Sequence, residues 1–186
     1  MKSLESFDDL ELRYVIYPNG RDALFLRPVW DADHAGLKEI TAKSISGYVV
    51  WLRGLLSRGL LGWCAKFQGS TARNATGAEI TAGADCLCRM AFPLRDRAED
   101  VWGREVGLHA GTDNAAALLD IPQGWSKSMR YLRKRQCASL SLTSETLDLS
   151  GNPIGKVNTD ENESDLLTKA LGAWKHWKFI LKLGLE

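Results

Sequence analysis

The strongest constraint on the fold lies between residues 23 and 67, where three β-type runs follow one another. Residues 23–30 (ALFLRPVW), after the turn signal Pro18-Asn19-Gly20, read as a strand that ends at Asp31. Residues 46–52 (SGYVVWL) are β-branched and aromatic, and residues 60–67 (LLGWCAKF) return after a turn at 54–59. Three consecutive strands with short connections predict an antiparallel meander.

From residue 76 the period changes. Ile80, Ala84, Leu87 and Met90 fall at helical spacing, which predicts a helix over 76–90 capped by Thr76 with Glu79 three residues on. Pro93 bends or ends it, and residues 95–102 continue it. Residues 106–111 (VGLHAG) read as a short strand ending at Thr112-Asp113-Asn114, and a helix starts at 114–119. A basic helical stretch at 126–142, a last strand at 155–158 and one long helix over 163–183 complete the order. In that last helix Trp174, Trp177 and Leu181 are expected in the core, with Lys175, Lys178 and Lys182 on the wet face. Antiparallel strands followed by strand–helix alternation give an α/β fold with a mixed sheet and helices on its faces.

With 186 residues, 45% hydrophobic and 25% charged, the chain suits one domain with a full core, and disorder, fibres and disulfide scaffolds are excluded. Lys+Arg number 24 against 23 Asp+Glu, a net charge of +1, so any nucleic-acid function has to come from a local patch. No apolar run is long enough to span a bilayer and the N-terminus has no signal-peptide core, so an intracellular protein without membrane contact is expected. Cys64, Cys86, Cys88 and Cys137 read as buried thiols; a zinc site from the first three with His109 lacks the paired C-x2-C spacing.

Acids recur where elements meet: Asp31 at the end of the first strand, Glu79 early in the first helix, Asp113 at the end of the fourth strand, Asp165 early in the last helix. Ligands of α/β sheets gather at such strand ends. Carboxylates brought together in one pocket repel unless cations neutralise them, and hard oxygen donors suit Mg²⁺ or Mn²⁺. Without convergence the same acids are ordinary surface residues.

Four blocks of sequence carry a resemblance. Residues 30–51 (WDADHAGLKEITAKSISGYVVW) resemble the D-A-D-W-A-G start and S-T-S-G-Y-V strand of the ribonuclease H domain of copia-type LTR retrotransposons. Residues 61–84 (LGWCAKFQGSTARNATGAEITAGA) resemble its I-x-W-x-S-K-x-Q strand and S-S-T-E-A-E-Y-x-A segment. Residues 112–118 (TDNAAAL) resemble its D-N-x-x-A block, and residues 157–171 (VNTDENESDLLTKAL) its V-x-T-x-x-x-x-A-D-x-L-T-K-A-L block. The blocks stand in the family's order across residues 23–183.

The resemblance implies a ribonuclease H-like fold with a five-stranded mixed sheet over residues 23–186, preceded at 1–22 by an extension or polyprotein junction. It implies a two-metal-ion endonuclease that hydrolyses the RNA strand of RNA–DNA hybrids during reverse transcription. Position by position it makes Asp31, Glu79, Asp113 and Asp165 the catalytic metal ligands, for a pair of Mg²⁺ or Mn²⁺ ions. It also implies a reverse transcriptase domain of the same polyprotein as partner, and a place in a cytoplasmic virus-like particle or the nucleus. The glutamate comes second among the acids, whereas integrases of related fold place theirs last. The chain departs from the family where S-S-T-E-A-E becomes residues 74–79 (NATGAE) and where T-K-H-I-x-I-R becomes residues 126–133 (SKSMRYLR), losing the histidine. These departures motivate the alternative of a catalytically inactive hybrid-binding or scaffold domain.

Around the acids, Ser46 either orients a phosphate or bonds backbone, and Asn114 either caps its helix or touches the minor-groove face of a hybrid. Lys127, Arg130, Arg133 and Lys134 form either a phosphate-tracking ridge or a solvated helical face. Asp33 is expected past the strand end as a solvated turn residue, His34 as exposed, and His109 as a core or edge histidine.

Overall fold

The computed structural model of the protein describes residues 11–17, 22–34, 36, 42–69, 71–124, 140–145, 147 and 154–185. Strands β1 (Phe25–Asp33), β2 (Ile45–Arg53) and β3 (Arg58–Phe67) form the expected antiparallel meander. On its other side β1 pairs in parallel with two short segments, β4 (Gly107–Leu108) and β5 (Gly111–Thr112). β5 in turn pairs in parallel with β6 (Gly155–Lys156). The sheet thus has six segments in the order β3-β2-β1-β5-β6, with β4 beside β1; β4 and β5 amount to one interrupted strand, which reconciles six segments with the five positions expected.

Strand alternation sorts the core into two layers. Leu26, Trp30, Tyr48, Val50 and Leu52 pack on one face against Ala78, Ile80, Ala82, Cys86 and Leu87 of the helical layer. Val29, Val49, Trp51 and Leu60 pack on the other with Val157 and Leu183. The helical layer comprises α1 (Ala75–Cys86), a π-helical turn (Leu87–Ala91), α2 (Phe92–Trp102) and α3 (Ala115–Gln123). A Cβ on Gly83 would lie 2.7 Å from Trp30 Cε2, so α1 sits flush on the fully buried indole only because that position is glycine. An aromatic side chain of this size covers roughly 150–250 Å², on the order of 4–6 kcal/mol of burial before entropy.

Several expectations need correction. β1 runs on through Asp31 to Asp33, so Asp31 lies within the strand and Asp33 is a half-buried strand residue. The cap of α1 is Asn74, whose Oδ1 accepts from Gly77 N at 2.8 Å; Thr76 lies inside the helix. Pro93 ends nothing, because the π turn just before it absorbs the backbone groups a proline would leave unpaired, and the proline falls in the first turn of α2.

The single helix expected over 163–183 is two: α4 (Asp165–Thr168) and α5 (Ala173–Lys182). Thr168 turns its hydroxyl into the protein interior, Lys169 is extended at φ −127°, and Gly172 precedes the restart. The faces of α5 are also the reverse of expectation: Trp174 is 83% exposed, Trp177 and Leu181 are exposed, and Phe179 and Ile180 supply the buried contact. Lys178 and Lys182 instead turn to Glu161, and Lys182 also to the buried Glu163. Acids in the 159–165 segment explain this, since they offer the lysine face partners that hydropathy cannot register. Among the strand tryptophans, Trp51 is buried, whereas Trp63, on the edge strand β3, is 57% exposed. Cys86 is buried, Cys64 half-buried and Cys88 exposed, all as free thiols.

Lys127, Arg130, Arg133, Lys134 and Cys137 lie outside the described residues, as do residues 1–10. The described residues before β1 contact the domain: Leu12 bridges Leu185, Val15 bridges Arg58, and Tyr14 donates to Leu60 O at 2.7 Å. Among the described residues no helix is long and apolar enough to cross a membrane.

Candidate metal centre

Parallel pairing brings the first two acids together. Trp30 is opposite Thr112, so the next residue on each strand, Asp31 and Asp113, stands beside the other at the end of the β1–β5 pair. Asp31 shares the strand face of Val29, toward which α4 packs, and this brings Asp165 to it. Asn162 fixes the approach: fully buried, it donates to Trp30 O at 3.3 Å and accepts from Ser164 N at 3.2 Å. Gly47 completes it, because a Cβ there would meet Thr168 Cγ2 at 2.6 Å and Leu167 Cβ at 2.9 Å. The result is one carboxylate oxygen from each of Asp31, Asp113 and Asp165 within 4.8 Å of the others.

Glu79 enters from the opposite layer. Its Oε1 accepts from Ala32 N at 3.2 Å and its Oε2 from Thr112 Oγ1 at 3.5 Å, which fixes the carboxyl at the base of the two strand ends. Of the four acids singled out in the sequence, the three aspartates come within reach of one another, and Glu79 stands beside them, bonded to Ala32 N and Thr112 Oγ1.

The electrostatics follow from burial. Desolvation, with the nearby charges of Asp31 and Asp113, pushes the Glu79 carboxyl up to about 9. Desolvation also raises Asp31, opposed by hydrogen bonds from Thr168 and Lys169. Two lysines serve the cluster. Lys169 Nζ lies 3.0 Å from Asp31 Oδ1 and 2.9 Å from Asp165 Oδ1, and Lys175 Nζ lies 2.9 Å from Asp165 Oδ2. Thr168 Oγ1 donates to the remaining oxygen of Asp31. Burial pulls the Lys169 ammonium down, but the two carboxylates outweigh it and leave it above the ordinary lysine value.

Lys169, Thr168, Lys175 and Asn162 were not picked out from sequence as site residues. Thr168 and Lys169 stand in the D-x-L-T-K block, and Asp165–Lys169 has i,i+4 spacing, so a signal existed; Lys175 was assigned to a solvated face. Ser46 is fully buried, and its Oγ accepts from Gln68 Nε2 at 2.9 Å while Gln68 also donates to Ala78 O at 2.8 Å. Its hydroxyl thus ties β2 to α1 in the interior. Asn114 caps α3, accepting from Ala116 N and Ala117 N at 3.1 and 3.0 Å. His34 is half-buried, with Nδ1 3.3 Å from Ser44 Oγ, and His109 is an exposed edge residue stacked on Phe25 at 4.3 Å.

Hard oxygens only, three of them within 4.8 Å and two of the aspartates buried, form a donor set that fits a divalent cation such as Mg²⁺ or Mn²⁺. Among the described residues this is the one group of three or more ligating side chains close enough to hold an ion.

No protein-family model and no curated protein matches the sequence. Solved structures do match the fold. LC11-RNase H1 in complex with an RNA/DNA hybrid superposes with a TM-score of 0.53 at 14% identity, covering 77% of this chain and 93% of that one. A second structure of LC11-RNase H1, isolated from compost by a metagenomic approach, gives 0.52 at 14% identity over 77% and 92%. RNase H1 from the archaeon Halobacterium salinarum gives 0.48 at 17% identity over 77% and 93%. The chain is thus a mixed α/β protein with the ribonuclease H fold.

Proposed function

We propose that the chain is a ribonuclease H: a metal-dependent endonuclease that hydrolyses the RNA strand of RNA–DNA hybrids during reverse transcription of a retroelement. The observation that carries this reading is the convergence of Asp31, Asp113 and Asp165 within 4.8 Å, with Glu79 beside them, on this fold. The structural neighbour LC11-RNase H1 holds an RNA/DNA hybrid, the substrate class proposed for this chain.

In this reading the four acids hold Mg²⁺ or Mn²⁺, two ions by the resemblance, and the chain supplies no covalent nucleophile. A bound divalent ion contributes an activated water and offsets charge on the departing 3′ oxygen. The protein's part is placement. Strand pairing fixes Asp31 against Asp113, Ala32 N–H and the Thr112 hydroxyl aim Glu79, and Asn162 holds the segment that delivers Asp165. Asn114, next to Asp113, keeps its Oδ1 on the cap of α3 and offers its side-chain NH2 to the minor groove of the hybrid, while Lys127, Arg130, Arg133 and Lys134 track its phosphates. The reverse transcriptase domain of the same polyprotein delivers the hybrid, in a virus-like particle or the nucleus.

The test is cleavage of a labelled RNA–DNA hybrid with Mg²⁺, with Mn²⁺ and with EDTA, beside Asp113→Asn. Metal-dependent nicking of the RNA strand alone, lost in the variant, is expected; nicking that survives EDTA or the substitution overturns the reading. The lysines on Asp31 and Asp165 favour one alternative, an inactive hybrid-binding or scaffold domain. Hybrid binding without cleavage, indifferent to Mg²⁺, would establish that alternative.

A further inference from the structure

We infer that Lys169 is a built-in cation on the Asp31–Asp165 side of the acidic cluster, so that the chain binds one divalent ion firmly, on the side of Asp113 and Glu79, and a second only by displacing the ammonium. The inference rests on the metal-dependent reading above and adds to it an order of occupancy.

The partners of the carboxylates are unevenly distributed. Both oxygens of Asp31 accept hydrogen bonds, one from Lys169 and one from Thr168. Both oxygens of Asp165 are taken by ammonium groups, Lys169 at 2.9 Å and Lys175 at 2.9 Å. By contrast, Glu79 receives only neutral donors, Ala32 N–H and the Thr112 hydroxyl. Among the described residues the Asp113 carboxylate has no ion-pair partner. The charged carboxylate left without a cationic partner is therefore Asp113, beside Glu79, and an incoming cation gains most there.

The local backbone places Lys169 for this role. α4 stops at Thr168, and Lys169, extended at φ −127° and ψ 148°, leaves the helix one turn after Asp165. Its ammonium bridges two side chains that are each 2% exposed. The lysine side chain itself remains 37% exposed, which gives the ammonium a route to water when a second ion arrives. An ion between Asp31 and Asp165 has to break two charge-assisted contacts of about 3 Å, whereas an ion beside Asp113 breaks none. That difference sets a gap of about tenfold or more between the two affinities.

The experiment is calorimetric titration of the whole chain with Mn²⁺ alone, without substrate, for the wild type, Lys169→Met and Lys169→Arg. The wild type is expected to take one ion firmly and a second about tenfold or more weakly; Lys169→Met, two of comparable affinity; and Lys169→Arg, which keeps the charge, the wild-type pattern. A lysine that served only to hold α4 in place would not change the ion count. Two ions of equal affinity in the wild type, or an unchanged pattern in a folded Lys169→Met, overturn the inference and leave the metal-dependent reading standing. Absence of Mn²⁺ binding in every folded protein overturns both. The wild-type count decides alone if Lys169→Met does not fold.

Discussion

The C-terminal segment makes the same contact in two settings. Lys178 and Lys182 meet Glu161 at 2.7 and 2.6 Å on the surface, and Lys169 meets Asp31 and Asp165 at 3.0 and 2.9 Å over the buried cluster. Near-equal distances have opposite consequences. The exposed Glu161 carboxyl is held down to about 2 by its two lysines. Asp31 is raised despite Lys169, because desolvation outweighs the ammonium, and Glu79, touched by no cation, rises to about 9. Exposure to water, more than the presence of a partner, decides what a charge does. The surface ladder has its charges balanced and solvated, whereas the buried cluster holds more negative charge than its lysines neutralise.

The largest effect that sharpens this contrast is on chemistry. Asp31→Asn and Asp113→Asn each remove a charge from the buried cluster and are expected to abolish metal-dependent cleavage of the RNA strand. Metal ligation is worth several kcal/mol at the transition state, so the loss is on the order of a thousandfold or more in turnover. Far-UV circular dichroism should show the fold retained. Turnover within about tenfold of wild type in both variants would break the comparison, since the cluster would then be as dispensable as a surface ladder.

Next comes packing. Gly47→Ala places a methyl 2.6 Å from Thr168 Cγ2, which forces α4 away from β2 and with it Asp165 and Lys169. Overpacking of this kind costs about 1–3 kcal/mol. Chemical denaturation should show that loss together with weaker Mn²⁺ binding. A variant that loses stability but keeps its Mn²⁺ affinity would show that the cluster does not depend on how closely α4 sits.

Smaller again is the pH response of the metal-free protein. Because Glu79 titrates near 9 when folded against an ordinary 4.5, the folded state binds the extra proton between those values. Its contribution is therefore fully present below about pH 4.5 and is lost progressively as pH rises toward 9. Glu79→Gln imitates the protonated form and should raise stability in EDTA by roughly a few kcal/mol at about pH 8, with little change at pH 5. Denaturant midpoints at the two pH values measure it, and an equal effect at both would remove burial as the cause.

Much of this architecture is legible in the sequence because it rests on local period. The meander follows from the β-branched runs, and Asp113-Asn114 marks both a strand end and a cap, as the Asn114 bonds to α3 show. The convergence of the acids is less local: it depends on the one-residue register Trp30–Thr112 and on Asn162 reaching Trp30 O, contacts that no periodicity encodes. The last helix misled for the same reason. Hydropathy alone sends Trp174 and Trp177 inward, but the acids at 160, 161 and 163 draw the lysine face down, and the aromatics take the solvent side.

The smallest effect tests the other half of the contrast. Glu161 is lowered from 4.5 to about 2, so its pairing stabilises the fold above about pH 4.5, and that contribution disappears as pH falls toward 2. Because the carboxyl is exposed at the surface, Glu161→Gln should shift the melting temperature only slightly at neutral pH, and the shift should vanish in about 1 M salt, where the screening length shrinks to about 3 Å. The Glu79→Gln gain, by contrast, arises from desolvation and should persist at that salt concentration. Melting curves of both variants at low and high salt separate the two directly. If Glu161→Gln proved salt-independent, or as large as Glu79→Gln, contact length and not burial would govern both clusters, and the uneven charge that directs a cation to the Asp113–Glu79 side would lose its physical basis.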